Sequence, residues 1–320
     1  MNISVVIPTY KRKKDLQECL DSILKQSLFP AEIFVVDNAR LKETEDVING
    51  LKTDFEKAGI KIEYVENKKE NSLTVARNIG VSLAQGEIVS FLDDDVVLDK
   101  DYFREVKNFF DQHKTALGMC GRPIGNLYEK NKWKFAFAQA LGKIFFLGFN
   151  EDKGRVLPSL GVTSPMSGQI VSSEWISGAS SYKLEIMKEF FYDENLKKYS
   201  WSEDVDFSYR VFKKYPGTLF FNPKVKYFHK LSKAGRTIGK ERASMEEIYN
   251  LYLFYKLIPQ NSKNKIIYIW ARIGTIVYKL LKLRFLDIYF SFLAFLICIK
   301  NLNNIKNKNL DFFNKKILKN

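Results

Sequence analysis

The most constraining feature of the chain is a regular alternation of strand-like and helix-like segments over residues 3–92. Ile3-Ser-Val-Val-Ile7 is a short β-branched run ending at Pro8. A polar and apolar mixture over 12–26 follows, with Leu16, Leu20, Ile23 and Leu24 at helical spacing. The unit recurs, with strands predicted at Glu32–Val36, Ile60–Val65 and Ile88–Leu92 and helices at 41–58 and 74–84. Such alternation implies an α/β fold with a parallel sheet covered on both faces. In these sheets ligands bind beyond the carboxyl ends of the strands, which directs attention to Thr9 and Tyr10, to Asp37 and Asn38, and to Asp93, Asp94 and Asp95.

A length of 320 residues with 46% apolar and 14% aromatic side chains suffices for a large core, as one domain or a domain with an appendage. Cys19, Cys120 and Cys298 are far apart and odd in number, so neither a disulfide framework nor a zinc site is indicated, and a reducing cytosol is expected. Residues 1–7 show none of the basic, apolar and small-residue pattern of a secretory signal. The net charge of +14 brings nucleic acid to mind, but residues 261–320 hold twelve Lys or Arg against two Asp and carry +10 of it. The basic character belongs to the tail, and nucleic acid is not the expected partner.

From 115 to about 230 the pattern is less regular, with aromatic loops, short strands and a second acidic cluster at Glu203, Asp204 and Asp206. Residues 1–230 read as one catalytic domain and 231–260 as a mobile Lys/Arg/Gly loop with a connecting helix. Within 261–320, residues 264–300 form two apolar helices studded with cations. The run Phe285–Ile299 is 15 residues long and contains Asp287, whereas a spanning helix needs about 20 apolar residues. A helical appendage lying in the membrane interface is expected, with packing on the domain or dimer formation as the alternative.

Three adjacent carboxylates at Asp93–Asp95 follow an apolar strand, and such crowding calls for a cation. A hard divalent ion, Mg²⁺ or Mn²⁺, takes oxygen ligands and can bridge carboxylates to a diphosphate; a solvated turn leading toward a helix near Asp99 is the plain alternative. Glu203 and Asp204 open a helix running through Phe212, either as first-turn acids behind a Ser202 cap or as a general base. His229 follows a strand over Lys224–Phe228 and offers a neutral imidazole to a metal beside Asp95, while His113 sits at a polar helix end.

Taken in order, Val5-Val-Ile-Pro-Thr-Tyr10, Val35-Val-Asp-Asn38, Ala76-Arg-Asn-Ile-Gly80, Phe91-Leu-Asp-Asp-Asp95, Trp175-Ile-Ser-Gly178, Ser202-Glu-Asp204 and His229 resemble the family 2 glycosyltransferases of GT-A fold. The resemblance covers roughly residues 1–230 and implies a Rossmann-like, mostly parallel central sheet flanked by helices. It implies a donor site of Pro8, Thr9, Tyr10, Asp37, Asn38, Arg77, Asp93 and Asp94, with Asp93 toward the ribose. Asn38 stands where many relatives have an acid, which counts against uracil specificity and leaves thymine or guanine donors open. Arg77 is expected at the base or diphosphate, with a surface ion pair as its alternative.

By the same resemblance the metal falls to Asp95 and His229, the catalytic base to Asp204 with Glu203 in support, and the acceptor pocket to Trp175, Gly178 and Trp201. The implied reaction is metal-dependent, inverting transfer from a nucleotide-sugar donor to a glycan or lipid-linked acceptor in cell-surface polysaccharide synthesis, peripherally at the cytoplasmic face of the membrane, with an oligomer open through the tail helices. Two other readings stand beside it. A nucleotidyltransferase shares the acidic α/β site, although Thr9-Tyr-Lys-Arg12 is a poor triphosphate loop. A non-catalytic basic protein binding membrane or nucleic acid would explain the tail alone.

Overall fold

The computed structural model describes residues 1–125 and 132–318. Its first part follows the predicted alternation: β1 (Ile3–Thr9), α1 (Lys13–Ile23), β2 (Glu32–Asp37), α2 (Lys42–Lys57), β3 (Lys61–Glu66), α3 (Leu73–Leu83) and β4 (Ile88–Phe91). β5 (Val96–Leu98) lies between the Asp93–Asp95 cluster and α4 (Tyr102–Gln112), so the carboxylates join two strands and do not lead directly into a helix. Next come β6 (Gly118–Ile124), α5 (Lys132–Ile144), β7 (Gly148–Glu151), β8 (Val162–Pro165), β9 (Val171–Ser172) and β10 (Ser180–Lys183). α6 (Leu184–Glu189), α7 (Glu203–Lys214) and β11 (Leu219–His229) complete the sheet region. The C-terminal helices are α8 (Gly239–Leu257), α9 (Ser262–Leu281), α10 (Phe285–Lys300), α11 (Leu302–Lys306) and α12 (Asp311–Ile317).

The main sheet has the order β3-β2-β1-β4-β10-β6-β11-β5, with β9 added to β11, while β7 and β8 pair separately. β1 to β4 are parallel, as the alternation predicts. The second half is mixed, because β10 runs antiparallel between β4 and β6, and β5 runs antiparallel to β11. The central strands β1 and β2 are buried along their whole length, which is why they read as continuous apolar runs.

One core lies between the sheet and α1, α2 and α4, built on Leu16, Leu20, Phe55, Phe103 and Phe110. The opposite face is covered by α3, α6 and α7 through Ala76, Ile186 and Phe207. Gly80 sets the depth of α3: a Cβ there would lie 2.3 Å from Cγ1 of Val6. That close approach brings Arg77, one turn earlier on the same helix, under the carboxyl edge of the sheet.

A third core joins the C-terminal helices to this body. Tyr249, Leu253 and Leu257 of α8 pack with Leu196, Val205, Phe313 and Ile317. Lys256 clasps Asp193 at 2.6 Å and Asp206 at 2.7 Å, so Asp206 is taken up in a buried ionic contact that anchors α8.

Candidate functional site

A cleft of about 740 Å³ opens beyond the carboxyl ends of β1, β2 and β4. Pro8, Thr9, Tyr10, Asn38, Asp93, Asp94, Asp95, Trp175, Gly178, Trp201, Glu203, Asp204 and His229 all line it. The fold therefore gathers into one cavity thirteen of the fifteen residues expected in the donor, metal, catalytic and acceptor sites. The other two, Asp37 and Arg77, lie behind its wall.

Asp37 is fully buried, and its two carboxylate oxygens each accept a backbone amide at 2.8 Å, from Ala39 and Leu41. It shapes the loop that presents Asn38, whose Oδ1 accepts from Asn67 Nδ2 at 2.7 Å. Arg77 is 1% exposed, so it forms no surface ion pair. Its Nη1 donates to Glu203 Oε1 at 3.1 Å and its Nη2 reaches Asp93 Oδ1 at 3.5 Å, while the guanidinium stacks near Phe91 and Tyr192. A Cβ on Gly178 would stand 3.0 Å from Nη2, which makes Gly178 the point where the cleft wall comes close to this cation.

The three acids after β4 have different surroundings. Asp94 is buried, with Thr9 Oγ1 donating to it at 2.8 Å and Arg12 Nη1 at 2.7 Å. Burial pushes its carboxyl up to about 6 against the pull of Arg12. Asp93 and Asp95 turn toward His229, and one ligand atom of each of the three lies within 4.8 Å of the others. Two carboxylates and an imidazole at that spacing are a donor set suited to a hard or borderline divalent ion such as Mg²⁺ or Mn²⁺.

His229 Nε2 and Asp95 Oδ1 are 3.1 Å apart. Burial raises the Asp95 carboxyl, but the hydrogen bond and charge of His229, the Arg12 guanidinium and the Ser232 amide together outweigh it and leave the group below the usual range. For His229 burial works the other way, and the contacts with Asp95 and Asp93 raise the imidazole. Register explains the meeting: β11 pairs antiparallel with β5 and sets His229 opposite Val96. The Ser232 amide then donates to Asp95 Oδ2 at 2.9 Å.

Glu203 and Asp204 enter the cleft from the start of α7. Ser202 makes no side-chain cap and has φ +62°, so the capping explanation of this acidic pair does not hold. Lys198 and Ser200 are also left-handed, at φ +52° and +50°. Three such turns in five residues are a costly way to begin a helix for non-glycine side chains, and they swing α7 so that its first turn faces the cavity.

Burial and the neighbouring Asp204 raise the Glu203 carboxyl to about 8 despite Arg77. Burial also raises Asp204, with Arg77 opposing. Both carboxyls are thus held above the usual carboxylate range, and Glu203 Oε1 accepts the Arg77 hydrogen bond whether or not Glu203 is protonated. One Asp204 oxygen accepts the Val205 amide at 2.8 Å; the other has no protein partner among the described residues.

Trp175 and Trp201 form the opposite wall. The Trp175 indole N–H donates to Thr163 O at 2.8 Å, and Arg242 lies over the Trp201 ring at 5.3 Å. Two site cations escaped the reading of the sequence. Arg12 spans Asp94 and, at 3.7 Å, Asp95, and Arg236 reaches Asp95 at 3.7 Å from the segment after β11. Three crowded acids signal a need for positive charge, but nothing local to the sequence says which distant arginine supplies it.

Residues 4–170 match the family model of glycosyl transferase family 2. The Staphylococcus aureus poly(ribitol-phosphate) beta-N-acetylglucosaminyltransferase TarS is 30% identical over 133 residues, covering 39% of this chain and 22% of that protein. The chain spans a third or less of the length of the first curated relatives it matches. Among solved structures, S. aureus TarS 1–349 in complex with UDP-GlcNAc superposes with a TM-score of 0.55 at 17% identity, covering 87% of this chain and 73% of that one. The Pyrobaculum calidifontis mannosyltransferase PcManGT in complex with GDP-Man and Mn²⁺ gives 0.56 at 14% identity, with coverages of 93% and 75%. These superpositions show the GT-A fold.

Proposed function

The chain belongs to glycosyl transferase family 2, and from that premise we propose that it moves a sugar from a nucleoside diphosphate donor to an acceptor hydroxyl with inversion. The observation that carries this reading is the single cleft in which Asp93, Asp95 and His229 converge at the sheet edge while Asp204 presents an unpartnered oxygen. The family match ends at residue 170, so the roles of Asp204 and His229 rest on this geometry.

In the proposed reaction the acceptor oxygen attacks the anomeric carbon as the bond from that carbon to the diphosphate oxygen breaks. The acceptor proton passes to the free oxygen of Asp204, whose raised affinity suits a general base. Glu203 keeps its proton beside Arg77 and supports the charge on Asp204. Asp93, Asp95 and His229 would hold the divalent ion, which when bound supplies positive charge to the departing diphosphate. Pro8, Thr9, Tyr10 and Asn38 form the wall assigned to the nucleoside; Trp175, Gly178 and Trp201 form the acceptor side. UDP-GlcNAc and GDP-Man in the compared complexes favour a nucleoside diphosphate sugar as donor, and the TarS relative, named for poly(ribitol-phosphate), favours a polymer as acceptor; the reading places that encounter at the cytoplasmic face of the membrane.

The test is metal-dependent release of nucleoside diphosphate from UDP-, dTDP- and GDP-sugars by wild type, Asp95→Ala and Asp204→Asn. Release from one donor, lost in both variants, supports the reading. No release and no binding of any donor, with membrane lipids supplied as acceptor, sinks it.

A further inference from the structure

Helices α9 and α10 are packed inside out. α10 turns Ser291, Ala294 and Cys298 inward and leaves Phe285, Leu286, Tyr289, Phe292, Phe295 and Ile299 exposed, between 53% and 63%. α9 buries Tyr268, Ala271, Gly274 and Lys279 while Ile266, Ile269, Ile273 and Ile276 face outward. A helix in water hides its large apolar residues and shows polar ones. Small residues at helix contacts with large apolar ones outside are the pattern of helices whose outer face meets lipid.

A third helix extends the surface. The Ile144 carbonyl at the end of α5 accepts the Trp270 indole N–H at 2.8 Å, and Phe145 stacks on Trp270 at 4.9 Å. Gly274 permits that seating, since a Cβ there would lie 2.3 Å from Phe145. Phe137 and Ile144 of α5 are also exposed. Exposed large apolar residues are therefore carried by three helices in direct contact, α5, α9 and α10, well beyond the isolated exposed residues normal on a soluble surface.

Charge identifies the occupant. Lys263 and Lys265 lie at the start of α9, Lys282 and Arg284 in the turn before α10, and Lys300 at its end. All five are exposed. Cations at both ends of an apolar hairpin place ammonium and guanidinium groups level with phosphate headgroups while the side chains between them enter the acyl boundary. Among the described residues no helix is long and apolar enough to cross a membrane.

We propose that the joined α5, α9 and α10 face lies flat on an anionic phospholipid surface, with α9 and α10 buried to the depth of their outer side chains. The inference is independent of sugar transfer, because it concerns adhesion alone.

The test is flotation of the full chain with vesicles of phosphatidylcholine alone or of equimolar phosphatidylcholine and phosphatidylglycerol. Wild type is expected to float with the anionic vesicles, less so as ionic strength rises. Phe292→Glu with Phe295→Glu should weaken flotation at least about tenfold, since both side chains would have to leave the acyl boundary. Lys263→Glu with Lys282→Glu should weaken it on anionic vesicles and abolish the preference for them. Unchanged melting curves and donor binding keep the measurement separate from folding and from the transferase reading. Flotation unaffected by both double variants overturns the proposal. So does a stable wild-type dimer that fails to float and becomes monomeric when Phe292 and Phe295 are replaced.

Discussion

Arg77 Nη1 donates to Glu203 Oε1 at 3.1 Å across 126 positions of sequence, while its Nη2 reaches Asp93 at 3.5 Å. One buried guanidinium thus ties the acidic end of β4 to the start of α7. Lysine offers a single point charge and cannot span both partners. Arg77→Lys is expected to cost about 2 kcal/mol, the scale of a lost charge-assisted hydrogen bond. Chemical denaturation at neutral pH measures it, and donor release should fall in parallel because both acids lose their alignment.

The same contact gives a pH signature. The Glu203 carboxyl is raised from 4.5 to about 8 in the fold, so the folded protein keeps a proton that the unfolded chain has already lost. The resulting stability is complete below about pH 4.5 and declines as pH rises through about 8. Glu203→Gln removes this dependence. Melting temperatures across that interval should fall more steeply for wild type than for the variant, and equal slopes would count against a protonated Glu203.

Asp204→Asn keeps the size of the side chain but removes its capacity to accept a proton. Transfer is expected to drop by roughly 10²–10⁴-fold, the usual range for a lost general base, with donor binding retained. Calorimetric titration with the nucleoside diphosphate alongside transfer assays separates the two effects. Lost binding together with lost transfer would point to a structural role for Asp204.

Removing the divalent ion with a chelator should abolish transfer, and adding back Mn²⁺ or Mg²⁺ should restore it. His229→Ala should shift the metal titration to higher concentration, because two carboxylates remain where three ligands stood. Identical metal titrations for variant and wild type would place His229 outside the coordination set.

Backbone geometry supplies a stability test in each direction. Ser202→Gly relieves a left-handed residue at φ +62° and should stabilise by about 0.5–1 kcal/mol. Gly80→Ala drives a methyl group into Val6 at 2.3 Å and should destabilise by about 1–3 kcal/mol. Thermal melts of the two variants should move in opposite directions.

The N-terminal half of the fold was legible because β1, β2 and β4 are buried on both faces and its helices on one, so the two periods stand out along the chain. The acids at the strand ends could be located for the same reason. Less legible was the insertion of β10 between β4 and β6, since an antiparallel strand of four residues, Ser180–Lys183, carries too little pattern to declare its neighbours. Ser202 suggested an ordinary cap, but the left-handed backbone before it depends on tertiary packing around Leu196 and Ser200. Arg12 and Arg236 stayed hidden because their partners are set by folding across more than 80 positions.

The pairing of β11 with β5 also has a consequence for the order of synthesis. Asp95 and His229 are 134 positions apart and meet only when the antiparallel register between these strands has formed. A nascent chain leaving the ribosome therefore has both carboxylates of the trio long before its imidazole. On the proposed metal role, tight capture of the ion would wait until the last strand has zipped into place, so metal occupancy would timestamp the completed sheet, and a stalled translation product ending before β11 would remain chemically silent toward a sugar nucleotide.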